Sequence, residues 1–134
     1  HTYNDKNLSP HLAWSDVPPG TRSFVIICED PDAPLKAWVH WIIFNIPKDT
    51  RELKEGQSAQ EILDNGAIQG SNDFGNLGYD GPAPPPASSH RYIFKLYALD
   101  TMLNLKPRTA KKELLKAIQG HIIGEAKLIG TYGR

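Results

Sequence analysis

The chain has 134 residues, the length of one ordinary domain. Its 15 lysines and arginines balance 15 aspartates and glutamates, so net charge gives it no attraction to nucleic acid or to an acidic membrane. Hydrophobic residues make up 40% of the chain and charged residues 22%, which excludes a disordered chain, and no apolar run is long enough to span a bilayer. We therefore expect one globular domain with a buried core.

The first half of the chain predicts two strands joined by a rigid turn. Residues 1–20 are polar and punctuated by prolines, which favours loop with one short strand, and the β-branched run 22–28 has strand length. The acidic, proline-rich segment 29–34 forbids regular structure. Residues 37–46 predict a second strand. Alternation along this strand predicts a common face for Trp38, His40, Ile42, Phe44 and Ile46.

The middle of the chain is less regular. Residues 48–64 are polar and predict a surface loop or a short helix, and residues 66–70 have room for a short strand. The stretch 71–89 is rich in glycine and proline. It predicts a long loop of the kind that a compact domain keeps for function.

Three further elements complete the chain. Residues 90–99 alternate as a strand, residues 109–119 form an amphipathic helix that ends at Gly120, and residues 122–132 form a closing strand. Strands do not alternate with helices along the sequence. The pattern therefore predicts a mainly β protein with a β-sandwich architecture.

Cys28 is the single cysteine, which excludes an intramolecular disulfide and a metal site built from paired cysteines. It ends an apolar run, and burial there would raise the pKa of the thiol. We expect a structural thiol and not a nucleophile.

Histidines and acids cluster near the ends of the predicted strands. His40 and His90 each follow a proline-rich loop, and each has an aromatic residue two positions away. If their strands share a sheet, these histidines converge with Asp30, Asp32 and Tyr92 on one pocket. The residues alone also allow a structural interpretation. In it, the histidines are core residues whose rings hydrogen-bond to backbone carbonyls, and the aspartates cap their own turn.

Four ordered motifs carry a family resemblance. They are Asp30-Pro31-Asp32-Ala33-Pro34, Trp38-Val39-His40-Trp41, Gly78-Tyr79-Asp80-Gly81-Pro82-Ala83-Pro84-Pro85 and His90-Arg91-Tyr92-Ile93-Phe94. Together they closely resemble the phosphatidylethanolamine-binding protein (PEBP) family, in its bacterial and archaeal Raf kinase inhibitor-like branch. The resemblance covers nearly the whole chain and implies a PEBP-like β-sandwich with one or two helices near the C-terminus.

The resemblance also implies a binding protein and not an enzyme, with no cofactor and no metal. A small pocket at one end of the sandwich would take phosphate-like groups, such as a phospholipid headgroup or a phosphorylated ligand. Carried over to this chain, the ligand-binding residues are Asp30, Asp32, Pro34, Trp38, His40, Gly81, Ala83, Pro85, His90 and Tyr92. Histidine and tyrosine side chains can donate hydrogen bonds to phosphate oxygens. A carboxylate repels an anion, so we expect Asp30 to act through a histidine or a shared proton.

The same resemblance bears on partners and location. It suggests a kinase or protease as a protein target, and a homodimer through an edge strand or the C-terminal strand. Nucleic acid and stable membrane insertion are not expected. Family members begin with a further strand before Asn7, so we expect residues 1–134 to be a single PEBP-like domain lacking that strand. A cytoplasmic location is expected, with a periplasmic or secreted location left open.

Two other functions stay open. His40, His90 and Asp30 would suit a divalent metal in a metal-dependent hydrolase, or a hydrolase that uses the histidines and the acid directly. The chain carries no HExxH metalloprotease motif. The last alternative is a protein-interaction module with a vestigial pocket, whose partner surface lies on the helix or on residues 48–64.

Overall fold

The structure is a computed structural model that describes residues 8–30, 38–81 and 91–131, without the side chains of 91–93. These ranges contain seven strands and one helix. In chain order the elements are β1 (Leu12–Ala13), β2 (Ser23–Asp30), β3 (Trp38–Pro47), β4 (Glu52–Leu53), β5 (Ile68–Gln69), β6 (Arg91–Leu99), α1 (Lys111–Ile118) and β7 (Ile122–Thr131). In these ranges, no helix is both long enough and apolar enough to cross a bilayer.

Five strands form one antiparallel sheet in the order β5-β3-β2-β6-β7, and β1 pairs with β4 in a separate two-stranded sheet. One face of the large sheet packs against β1, β4 and their loops, in a core that includes Phe24, Trp41 and Phe94. The other face is covered by α1, which buries Leu114 and Ile118. The mainly β fold is thus confirmed, with one short helix near the C-terminus among the described residues.

Several element boundaries differ from the sequence prediction. β2 continues through Asp30 into the segment predicted as irregular, because β3 pairs with it as far as Trp38. The helix is shorter than the predicted 109–119, since the Thr109 hydroxyl donates to the Lys106 carbonyl of the preceding turn and does not cap the helix. In residues 48–64 the structure has the short strand β4 and no helix.

β3 carries one extra residue relative to β2 at two places, and the predicted common face along it is therefore wrong. One place is at Asn45, which has a φ of 53°. The other is His40, which falls between the partners of Cys28 and Glu29. Each bulge shifts the alternation of the strand by one residue. As a result Trp41, Ile43 and Ile46 enter the core shared with β1, whereas Val39, Ile42 and Phe44 pack on the side of the helix.

Glu29 links β2 to two neighbouring elements through a pair of lysines. Its nearly buried carboxylate accepts a hydrogen bond from Lys95 Nζ of β6 at 3.1 Å and another from Lys111 Nζ of α1. Burial acts to raise the pKa of Glu29, but the two lysines outweigh burial and hold the pKa below its ordinary value of 4.5. The ionised carboxylate therefore stabilises the packing of β2, β6 and α1.

We expect this carboxylate to make the fold sensitive to acid. Because the folded-state pKa is lowered, the stabilisation is present above pH 4.5 and is lost as the pH falls through the folded-state value. Glu29→Gln should therefore lose less stability than the wild type between about pH 6 and pH 3. Urea unfolding across that range measures the difference, with Glu61→Gln, which breaks an exposed pair with Arg108, as the control. An unchanged pH dependence in Glu29→Gln would contradict this account.

Candidate functional site

Three predicted site residues lie side by side where β2 ends and β3 begins. Asp30 is the exposed last residue of β2 and pairs with Trp38, the first residue of β3. His40 follows two residues later and is only 7% exposed. The bulge at His40 lets its ring meet residues 71–81, which we call the site loop.

His40 is held by a two-way contact with Asp80 of the site loop. Its Nδ1 lies 2.6 Å from the carbonyl oxygen of Asp80, and the amide of Asp80 donates to the carbonyl of His40 at 3.0 Å. A carbonyl oxygen can only accept, so Nδ1 must carry a proton. The hydrogen bonds of the described residues do not use Nε2 of this ring. In the neutral ring, Nε2 is an acceptor.

The side chain of Asn72 is buried inside the site loop and fixes the shape of this loop. Its Nδ2 donates to the carbonyl of Gly78 and to Oδ2 of Asp80, both at 2.9 Å. Its Oδ1 accepts from the amides of Phe74 at 2.9 Å and Asn76 at 3.1 Å. Four hydrogen bonds from one side chain thus fix the path of the loop and the position of Asp80.

A second contact fastens the site loop to β3 and brings an aromatic ring to the site. The amide of Val39 donates to Oδ2 of Asp73 at 2.7 Å, and the amide of Asp73 donates to the Val39 carbonyl at 2.9 Å. The next residue, Phe74, has its ring centre 5.6 Å from that of Trp38 and 5.6 Å from that of His40. Phe74 is 50% exposed, so it forms an accessible wall beside the histidine.

Gly81 lies against the phenol of Tyr79. A Cβ at residue 81 would be 1.9 Å from Oη of Tyr79, so only glycine fits while this ring stays in place. The ring is held by Trp41 at 5.6 Å and Phe94 at 6.4 Å between ring centres. Packing thus explains why residue 81 is a glycine. The role of Gly81 in ligand binding stays a prediction.

The structure describes four of the ten predicted site residues completely. Asp30, Trp38, His40 and Gly81 come together at one end of the large sheet, through the strand pairing and the site loop. The backbone of Tyr92 pairs with Gly130 in β7. The side chain of Tyr92 lies outside the described residues, as do all of Asp32, Pro34, Ala83, Pro85 and His90.

Two groups at the site were missed by the sequence reasoning. Phe74 gave no signal beyond its position in a long glycine-rich loop, and its contact with Trp38 depends on how that loop folds back on β3. Asn72 was also not singled out, because a lone asparagine between two loop residues is ordinary in sequence.

The carboxylates of Asp73 and Asp80, near His40, accept hydrogen bonds from uncharged amide groups. Oδ2 of Asp80 accepts from Asn72 and also from Asn76 Nδ2 at 2.9 Å, and Asp73 accepts from a backbone amide. Within the ranges described above, no three histidine, cysteine, aspartate or glutamate side chains are grouped so that they could hold a metal ion. The site loop therefore presents backbone and aromatic groups to the ring of His40.

Cys28 lies near this end of β2 but is buried, as the sequence predicted. Burial, together with the charges of Glu29 and Asp30, raises the pKa of its thiol to about 12. The thiolate is the reactive form of cysteine, so Cys28 is inert at neutral pH.

Comparison with known proteins assigns the chain to a family. The profile of the phosphatidylethanolamine-binding proteins matches residues 1–133. The chain belongs to the PEBP family. A UPF0098 protein of Methanothermobacter thermautotrophicus is 52% identical over the whole chain and 88% of its own length. YbhB of Escherichia coli is 53% identical over 100 residues, which are 73% of this chain and 63% of that protein.

Solved structures agree with this assignment. YbcL of E. coli, a PEBP family member, superposes with a TM-score of 0.78 at 34% identity, over 96% of this chain and 81% of its own. A PEBP homologue from Chlamydia trachomatis superposes with a TM-score of 0.76 at 42% identity, over 95% and 82% of the two chains. The resemblance read from the four motifs is therefore confirmed.

Proposed function

We propose that this PEBP family member binds small phosphate-like anions, and carries out no reaction on them, at the end of the sheet where Asp30, Trp38 and His40 meet the site loop. The observation that carries the proposal is the placement of His40. Its ring is fixed through Nδ1 by a main-chain carbonyl, and no hydrogen bond among the described residues uses Nε2, so this nitrogen can meet a ligand beside the exposed ring of Phe74. Imidazole nitrogens in such settings are common donors to phosphate oxygens.

The surroundings of His40 fit an anion better than the presence of three aspartates suggests. Asp73 and Asp80 each accept hydrogen bonds from the site loop or from β3, which offsets part of their charge. Asp30 is exposed to solvent at the strand end, where water screens it. The aromatic rings of Trp38 and Phe74 limit the ligand to a headgroup or another small phosphorylated group.

The family resemblance supports a wider role for the same site. A phosphorylated or acidic group on a kinase or protease partner would present the chemistry that His40 recognises, so that this chain would act as an inhibitor-like regulator. A cytoplasmic location fits this role.

Calorimetric titration with inorganic phosphate and with phosphorylethanolamine tests the proposal. In chelator-treated buffer we expect saturable binding of one anion per chain, unchanged in His121→Asn. His121 is the matched control because it is an exposed histidine that contacts Asp100 at 2.8 Å, beyond the opposite end of the β6 strand. No binding at millimolar concentrations would contradict the proposal. Zinc or iron at one ion per chain in the protein as purified would favour the hydrolase instead.

A further inference from the structure

The hydrogen bond from His40 to Asp80 determines which ring nitrogen of His40 carries a proton. The acceptor is a main-chain carbonyl, which has no proton to give. The peptide cannot easily turn away, because the Asp80 amide donates to the His40 carbonyl at 3.0 Å and Asn72 holds the Asp80 carboxylate at 2.9 Å. Nδ1 therefore keeps its proton whether the ring is neutral or charged.

A neutral His40 consequently offers an acceptor to the ligand. Nε2 has a lone pair in this tautomer, and a fully ionised phosphate oxygen also has only lone pairs, so the two atoms repel each other unless a proton lies between them. We infer that phosphate binding at His40 takes up one proton. The ligand class is then a phosphate group that arrives monoprotonated or that is bound by the imidazolium form of the ring.

Both descriptions contain the same number of protons. Whether the proton sits on Nε2 or on the phosphate oxygen, the complex holds one proton more than a neutral ring and a fully ionised ligand. The linkage between binding and pH is therefore the same for both. This inference rests on the proposed function, and it adds which protonation state the site accepts.

The described groups around the ring do not supply this proton. The titratable groups on the elements that meet His40 are Asp73 and Asp80 of the site loop and Asp30 of β2, and the carboxylates of Asp73 and Asp80 accept hydrogen bonds from amide groups. Glu29, on the neighbouring strand, is paired with Lys95 and Lys111. As far as the described part of the chain is concerned, the proton comes from the ligand or from solvent.

The expected effect is large in mildly alkaline solution, well above about pH 6, where a free phosphate monoester has lost its second proton. At about pH 8 each binding event should take up roughly one proton. The affinity should then fall about tenfold for each further pH unit.

Calorimetry at that pH in two buffers of different ionisation enthalpy measures the proton uptake. Phosphorylethanolamine represents a soluble phosphate monoester, and glycerophosphoethanolamine represents the diester of a lipid headgroup, so the two arms distinguish the sources of the ligand. We expect uptake of roughly one proton for whichever ligand binds. In His40→Asn, which keeps an N–H for the Asp80 carbonyl but has no counterpart of Nε2, binding should weaken and the uptake should fall to near zero.

The outcomes separate this inference from the proposed function. Wild-type binding without proton uptake overturns the inference and leaves the proposed function standing. Uptake that persists in His40→Asn overturns it as well, because the proton would then reside elsewhere. Failure of both ligands to bind overturns the proposed function and this inference together.

Discussion

Replacing Asn72 by alanine will lower the free energy of unfolding by about 3 kcal/mol, and it will also weaken anion binding. The side chain makes four hydrogen bonds at 2.9 to 3.1 Å from a position that is 4% exposed. A hydrogen bond contributes about 1 kcal/mol net, and buried partners left unpaired add a further cost. Urea unfolding measures the first effect and calorimetry the second.

Two further substitutions make this prediction specific. Asn76→Ala removes one hydrogen bond to Asp80 from an exposed position, and should change stability by about 0.5 kcal/mol or less. Asn72→Asp keeps the oxygen that accepts from Phe74 and Asn76 but places a second carboxylate beside Asp80. A carboxyl group crowded in this way has a raised pKa in the folded state, so Asn72→Asp should be less stable at high pH than in mild acid. Equal stability of Asn72→Ala and Asn76→Ala would contradict the central role of Asn72.

Substitutions of His40 test the roles of its two ring nitrogens separately. His40→Asn retains an N–H near the position of Nδ1, so the contact with the Asp80 carbonyl can persist and the fold should stay within about 1 kcal/mol of the wild type. It has no atom at the position of Nε2. A hydrogen bond to a charged group contributes about 1.5 to 3 kcal/mol, so anion affinity should fall about 10- to 100-fold.

His40→Gln is the complementary variant, because it keeps a group at the position of Nε2 and loses the one at Nδ1. Its amide extends to the position of Nε2, but it lacks a donor at the position of Nδ1, so the Asp80 carbonyl loses its partner. We expect this variant to be less stable than His40→Asn by about 1 kcal/mol and to retain more affinity for phosphate. If His40→Asn bound phosphate as tightly as the wild type, the ligand would not contact Nε2 and the proposed site would be wrong.

The strands could be predicted because their residues fit a sheet. β2 and β6 come from runs of β-branched and aromatic residues, and on β6 the predicted alternation holds: Phe94, Leu96 and Ala98 all enter one core. Lys95, between them, lies on the other face and reaches Glu29. Local composition was enough for β2, whose residues 23–28 are all buried, and the alternation of apolar and polar residues was enough for β6.

The bulge at His40 could not be predicted in the same way. Around it the strand is apolar at both odd and even positions, so no alternation shows where the register shifts. The shift depends on how β3 pairs with a strand earlier in the chain. The alternating pattern therefore predicts that Trp38 and His40 lie near one another, but it predicts the wrong face for Ile42.

The arrangement of the candidate site could be predicted for its strand residues but not for its loop. Asp30, Trp38 and His40 stand in motifs next to strand ends, which are places where sites are built. Phe74 and Asn72 matter because residues 71–81 fold back on β3 through Asp73, a contact between segments far apart in sequence. No local signal reports such a contact.

The most direct test of the central claim is a long-range ¹H–¹⁵N spectrum of the histidine rings, recorded near neutral pH before and after addition of inorganic phosphate. Without phosphate, the structure predicts a His40 ring protonated at Nδ1, as the contact with the Asp80 carbonyl requires, and in the neutral ring this leaves Nε2 without a proton. With phosphate, the Nε2 signal of His40 should move toward its protonated position and saturate, while the signals of His121 stay in place. A His40 ring that is protonated at Nε2 alone, or that does not respond at millimolar phosphate, would contradict the account.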